Sequence, residues 1–224
     1  MGIEQRNERI AALADGILSV TPVTPIPVNP HSINALEIKK ETVIHQNEIR
    51  ENSQADPIEI KILENTNAEE LAVFQHLLES LQKEAKDLFA NEKLQKQFLQ
   101  ICRDYEIDPY LMLALMKKES AFIPTVSNGK CIGLCQINEH CHKNRMEKLD
   151  CDNLYDPYQN MLVAADYLAE LLESKRDTTE ALMYYNMTAE TAKKRYEAGE
   201  YSSYAIDIQK EAIQLREIAE EKPE

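Results

Sequence analysis

From Asn67 onward the apolar residues return every three or four positions, and that spacing commits the chain to helix. Leu71, Phe74, Leu77, Leu78, Leu81 and Leu88 make one stripe; Leu94, Phe98, Ile101 and Cys102 make another. Two later starts are sharper. Asp108-Pro109 and Asp156-Pro157 each place a capping carboxylate before a proline, and proline suits the first helical position because its missing N–H is not needed there. They predict helices over 109–119 and 157–174, followed by three more over 179–186, 189–198 and 202–219, with Gly199 closing the second of these. Residues 120–155 show no comparable period and read as one long irregular segment. Only 5 glycines in 224 residues, with Glu, Lys, Leu and Ala abundant, agree with this. The expected fold class is all-α.

Upstream the pattern is lost. Around residues 20–30 the chain reads TPVTPIPVNP, where each proline fixes φ and removes a donor, and residues 31–66 are polar and acidic. The expected organisation is a flexible, partly proline-rich extension over 1–66 and an amphipathic helix over 67–85. A domain then spans 86–215, with an acidic tail over 216–224. The extension is a place where a protein partner could bind, and the domain is expected to act as a monomer.

The formal charge of −14 excludes a general nucleic-acid binder, which needs a basic face to neutralise phosphates. No run of about 18 apolar residues is present, so no transmembrane helix is expected. The opening MGIEQRNERIAALADGILSV balances acids and bases, and Asp15 interrupts its apolar run, which makes a poor secretory signal. Action outside the cytoplasm would then need another export route, delivery by a phage, or a signal that this sequence lacks.

Two groups of residues keep alternative readings. Cys131, Cys135, His140, Cys141, His142 and Cys151 include zinc-ligand types, but C-x3-C followed by H-C-H matches no common finger, so no metal is expected. Two of these cysteines could instead form a disulfide, while Cys102 and Cys135 also read as small buried hydrophobes. Tyr155, Tyr158, Tyr167, Tyr184, Tyr185, Tyr201 and Tyr204 suit a sugar groove or ordinary helix packing.

The helix PYLMLALMKKES ends on Lys117, Lys118, Glu119 and Ser120. Cations suit the carbonyl end of a helix and a carboxylate does not. Glu119 is therefore either a solvated surface charge or a carboxyl whose pKa is raised by that end and by burial, fit to serve as a general acid.

The order of the motifs around it resembles the soluble lytic transglycosylase family and its goose-lysozyme-like catalytic domain. Glu119-Ser120-Ala121-Phe122 looks like the family's E-S-x-F motif, and Gly133-Leu134-Cys135-Gln136-Ile137 like its G-L-M-Q-I loop. Asp156-Pro157, Asn160 and the helix ending YLAELL are similar to D-P-x-x-N-I…YL. Ala181-Leu182-Met183-Tyr184-Tyr185-Asn186 resembles A-L-x-A-Y-N, and Glu200 with Tyr204 resembles E-T-x-x-Y. Cys135 departs from the usual Met, Lys130-Cys131 from small residues, and Met187-Thr188 from Ala-Gly.

The resemblance implies an all-α, lysozyme-like domain that cleaves the β-1,4 bond between N-acetylmuramic acid and N-acetylglucosamine in peptidoglycan strands. It implies Glu119 as the single acid and base, with the N-acetyl group of the substrate assisting and the C6 hydroxyl closing a 1,6-anhydro ring. No metal or cofactor enters. Ser120, Gln136, Ile137 and Tyr185 would bind substrate, and Asn186 and Glu200 would shape the pocket. The absence of Asp and Glu between Ala121 and Asn138 agrees with a one-carboxylate route, since glycoside hydrolases generally use two. A lysozyme-type hydrolase of the same fold, or a wall-binding module without catalysis, are the alternatives.

Overall fold

The computed structural model describes residues 68–221. The proline-bearing extension and the partner site expected on it lie outside the described residues, as do residues 222–224.

Nine helices and one small hairpin make up the described chain: α1 (Ala68–Ser80), α2 (Lys83–Leu88), α3 (Glu92–Asp104), α4 (Pro109–Ser120), β1 (Cys131–Ile132), β2 (Ile137–Asn138), α5 (Glu139–Lys148), α6 (Pro157–Ser174), α7 (Thr178–Asn186), α8 (Ala189–Glu197) and α9 (Ser203–Glu220). The fold class is all-α, as the periodicity predicts.

The middle of the domain is α4, and its sequence says why. Leu111, Met112, Leu113, Ala114, Leu115 and Met116 are consecutive and all buried. A helix apolar on every side has to be enclosed on every side, and each large side chain here gains roughly 1.5–3 kcal/mol by leaving water. The long α9 lies along α4, with α7 packed on α9, α6 on α7, and α3 on α6. As predicted, Asp108 and Asp156 cap α4 and α6, accepting from the amides of Tyr110 (3.1 Å) and Gln159 (2.8 Å). On the other side of the core, Phe74, Phe89 and Phe98 pack ring against ring with centroids 5.2–5.4 Å apart, joining α1 and the end of α2 to α3.

Four details differ from the sequence expectation. The single helix expected over 67–85 breaks at Leu81 and Gln82, giving α1 and α2. The segment 120–155 contains a hairpin and a ten-residue helix, α5. That helix buries only Met146, so it carries no apolar stripe to read. The expected tail begins inside α9, which runs to Glu220, and Arg216 reaches across to the Asp108 carboxylate. Finally, Met187 and Thr188 need no glycine conformation (φ −136° and −61°), and the Thr188 hydroxyl caps α8 by accepting from Thr191 N at 3.4 Å.

Candidate active site

Glu119 occupies the last turn of α4, where the helix stops in an unusual way. Ala121 and Phe122, directly after Ser120, are both left-handed (φ 50° and 64°) although neither is glycine. Phe122 is held there by burial, with 1% of its surface exposed. The turn lifts the chain off the helix and leaves Glu119 half-buried at the domain surface.

The Tyr204 hydroxyl, from the first turn of α9, donates to Glu119 Oε1. Loss of water around the carboxyl raises its pKa; the Tyr204 hydrogen bond and then the Lys118 ammonium pull it back in part, leaving a net rise. Tyr204 itself is pushed far up by burial and by the facing carboxyl, so it stays a donor. The cations beside Glu119 are engaged by α9: Lys118 pairs with Asp207 at 2.8 Å and Lys117 with Glu211 at 2.7 Å. Neither acid is therefore a free partner for Glu119.

Facing this carboxyl is the loop from Val126 to Asn138, folded around Asn160. Asn160 stands on α6, is fully buried, and satisfies three backbone groups at once. Its Oδ1 accepts from Cys135 N (2.9 Å), and its Nδ2 donates to the carbonyls of Ile132 (2.9 Å) and Leu154 (2.8 Å). Gly133 is forced by the same contact: its φ is +80°, and a Cβ there would lie 2.2 Å from Asn160 Nδ2 and 2.3 Å from the Leu154 carbonyl oxygen.

Tyr185 joins this loop to α7 by donating its hydroxyl to the Cys135 carbonyl at 3.0 Å. Burial first, then Cys135, Tyr204 and Glu119, raise its pKa well above the phenol range. The ring packs on Tyr167 at 5.2 Å, and Tyr167 packs on His142 at 4.5 Å. Two phenols from distant helices thus converge on the region of Glu119.

The other expected residues are placed less simply. The Ser120 hydroxyl is buried and donates to Met116 O (3.2 Å) in its own helix. Gln136 spends its amide nitrogen on Val126 O (3.2 Å) and Gly133 O (3.0 Å), which fixes the loop from inside. Ile137 is buried in β2 opposite Ile132. Asn186 is exposed at the end of α7, and Glu200 faces solvent beside Arg195 at 4.0 Å. The structure brings Glu119, Tyr185 and Tyr204 together with the Gln136 loop; it holds Glu200 outward.

Sequence reasoning quotes Asn160 but assigns it no role. The available signal was an amide one turn into the helix, directly before the apolar run from Met161 to Ala165, a place where a polar side chain must be satisfied. All five cysteines are free; Cys102, Cys135 and Cys151 are buried, with burial raising the thiol pKa of the first two. Among the described residues no group of three His, Cys, Asp or Glu is gathered to hold a metal ion. An apolar groove of about 260 Å³ lies between α1, α3 and the first turn of α4, lined by Phe74, Leu77, Leu99, Pro109 and Leu113. It is roughly 15 Å along α4 from Glu119.

Compared with known protein families, residues 97–206 match the transglycosylase SLT domain. All the motif residues quoted above, from Glu119 to Tyr204, fall inside the match.

Proposed function

Because residues 97–206 form a domain of the transglycosylase SLT family, whose members act on peptidoglycan, we infer that this chain cleaves the bond between N-acetylmuramic acid and N-acetylglucosamine without water, leaving a 1,6-anhydro-muramic end. Glu119 is the acid and then the base. The observation that carries this reading is the environment of one carboxyl: half-buried, raised in pKa by loss of solvent, and acted on by a tyrosine hydroxyl and a lysine rather than by a second carboxylate.

The chemistry follows from that environment. A carboxyl with a raised pKa keeps its proton to higher pH than an exposed one and can pass it to the glycosidic oxygen. Once ionised, it takes the Tyr204 hydrogen bond in full, which lowers the cost of the charge it has just acquired. It then accepts the proton of the C6 hydroxyl as that oxygen closes on the anomeric carbon. The proton lost in the first step returns in the second, so the carboxyl ends as it began. Hydrolases generally use a second carboxylate to activate water or to trap the sugar. The acids of α9 are spent on Lys117 and Lys118, and Glu200 points to solvent.

Tyr185, Ile137 and the loop shaped by Gln136 form the opposing wall, and Ser120 and Asn186 border it. The reading needs one chain, a glycan strand and no cofactor. Among the described residues no helix is long and apolar enough to cross a membrane.

Mass spectrometry of purified peptidoglycan digested by the protein and by Glu119→Gln tests it. Anhydro-muramic ends from the wild type and none from the variant are expected. Reducing ends, heavier by one water, would make the protein a hydrolase instead. An intact sacculus after both treatments would leave a wall-binding module.

A further inference from the structure

The helical segment ahead of the matched region reaches the candidate site through one side chain. Gln82 precedes α2 with extended backbone (φ −61°, ψ 159°), and its carbonyl takes the amides of Ala85 (3.1 Å) and Lys86 (3.3 Å). A residue in that position usually turns its side chain onto the free amides of its own helix. Gln82 makes no such bond. Its Nε2 donates instead to the Ala121 carbonyl at 3.1 Å, across 39 positions of sequence.

Ala121 is the residue on which α4 ends, two positions past Glu119. Its amide closes on Lys117 O (3.0 Å), Ile123 N closes on Ser120 O (3.1 Å), and the left-handed pair Ala121-Phe122 lies between. L residues adopt that conformation in succession only when their surroundings hold them there. Two contacts do so: the Phe122 ring buried in the core, and the Gln82 amide on the carbonyl one residue earlier. The donor itself is held firmly, because α1 packs on α9 and α3, and Phe89, just beyond α2, is locked into the ring cluster with Phe74 and Phe98.

We propose that Gln82 is a positioning residue for Glu119: its hydrogen bond to the Ala121 carbonyl holds the left-handed turn that ends α4 and so sets where the carboxyl stands. The proposal rests on the reading of Glu119 as the acid. It makes the helices before residue 97 part of the catalytic unit rather than a lead-in to it. Without the bond the turn relaxes, the last residues of α4 fray, and the carboxyl moves toward water, losing the burial that keeps it protonated.

The test uses the full chain and soluble, uncrosslinked glycan strands, with Gln82→Glu, Gln82→Met, Gln82→Lys and Glu119→Gln. Gln82→Glu keeps size and shape but faces the Ala121 carbonyl with oxygen, whereas Gln82→Lys restores a donor of comparable reach. A net hydrogen bond corresponds to about a fivefold change in rate, so Gln82→Glu is expected to lower kcat by roughly fivefold to tenfold. KM should move less than about twofold, because the loss falls on the reacting group rather than on binding. The limb is read on Gln82→Met, which also lacks the donor and adds no charge near Glu119: the alkaline limb of its pH–rate profile should move to lower pH as the carboxyl loses burial, and Gln82→Lys should recover the rate.

Wild-type kcat in Gln82→Glu would overturn the proposal. So would a loss of rate that follows a lowered melting temperature, with the pH limb unmoved and no recovery in Gln82→Lys, since that is the pattern of a purely structural contact. Wild-type activity in Glu119→Gln would remove the acid itself, and the proposal would fall with it, separately from any result at Gln82.

Discussion

At Glu119 loss of solvent is opposed by the Tyr204 hydroxyl and, less strongly, by the Lys118 ammonium, and the first two can each be removed alone. Loss of solvent raises the carboxyl pKa, and the Tyr204 hydroxyl, by donating to Oε1, lowers it. Tyr204→Phe removes only the second, so the pKa rises further and the alkaline limb of the pH–rate profile should move to higher pH. The rate itself should fall by about tenfold, because the ionised form that follows proton transfer loses its donor. A pH–rate profile of the variant checks both, and an unmoved limb would mean that the hydroxyl does not act on the titrating group. Replacing the carboxyl reads the first influence. A carboxyl with a raised folded pKa leaves stability intact below its ordinary range and costs stability as pH rises through the folded value. Glu119→Gln removes that cost and still offers an oxygen to Tyr204. The inactive variant should therefore melt above the wild type near neutral pH, the difference closing in acid below the carboxylate range. Thermal denaturation at the two extremes gives the answer; equal melting temperatures throughout would show that the carboxyl is not desolvated in solution.

Among the elements, α6 latches the loop from Val126 to Asn138, and Asn160 is the tooth of the latch. Asn160→Ala would strand Cys135 N and Leu154 O in a dry interior and take a partner from the part-buried Ile132 O, and each buried group left without a partner costs about 1–3 kcal/mol. Gly133→Ala fails differently, by driving a methyl into the same amide while φ stays at +80°. Either variant should lose roughly 3 kcal/mol or more in urea denaturation, and stability near wild type in both would show that the loop is not fastened there. How much of this was legible depended on what each element had to bury. α4 and α6 announce themselves, since both open on Asp-Pro and run apolar, and so does the carboxyl at the end of α4. By contrast, α5 hides. Its residues are polar all round and its anchors are charges, Arg145 on Asp166 and on Glu170 at 2.5 Å, partners more than twenty positions away that no local window contains. The break at Gln82 hides for the same reason: neither glycine nor proline marks it, and the side chain that leaves α2 bonds a carbonyl known only once the chain is folded. Motif order offers Tyr185 as a substrate residue and Tyr204 only as the end of its last motif; the bond from Tyr204 to Glu119 appears only in the folded chain. Nor could motif order reveal that Glu200 turns outward or that Gln136 ties the loop from within, because both are decided by partners at tertiary distance.

For the molecule as a whole, the family match and the folding unit have different borders. Residues 97–206 hold the motifs, but the core crosses both ends of that range. Phe74, Leu77, Leu78, Ala85 and Phe89 enter it from the N-terminal side, and Ile208, Ala212 and Leu215 from the C-terminal side. So do the pairs that orient α4: Lys117 with Glu211, Lys118 with Asp207, and Asp108 with Arg216. A fragment of 97–206 would expose the side of α3 that packs on Phe74 and Phe89, and the side of α4 that α9 covers. Burial of one large apolar side chain gives roughly 1.5–3 kcal/mol, and a domain of this size is stable by about 5–15 kcal/mol in total. Losing Phe74, Leu77, Leu78, Phe89, Ile208 and Leu215 together is therefore a loss comparable to the whole margin. The 97–206 fragment should show no cooperative thermal transition, whereas 68–221 should melt cooperatively and close to the temperature of the full chain. A sharp transition in the shorter fragment would mean that its helices re-pack without their neighbours. In that case α1 and α2 would be accessories, and the hold of Gln82 on the end of α4 would have to be judged on activity alone.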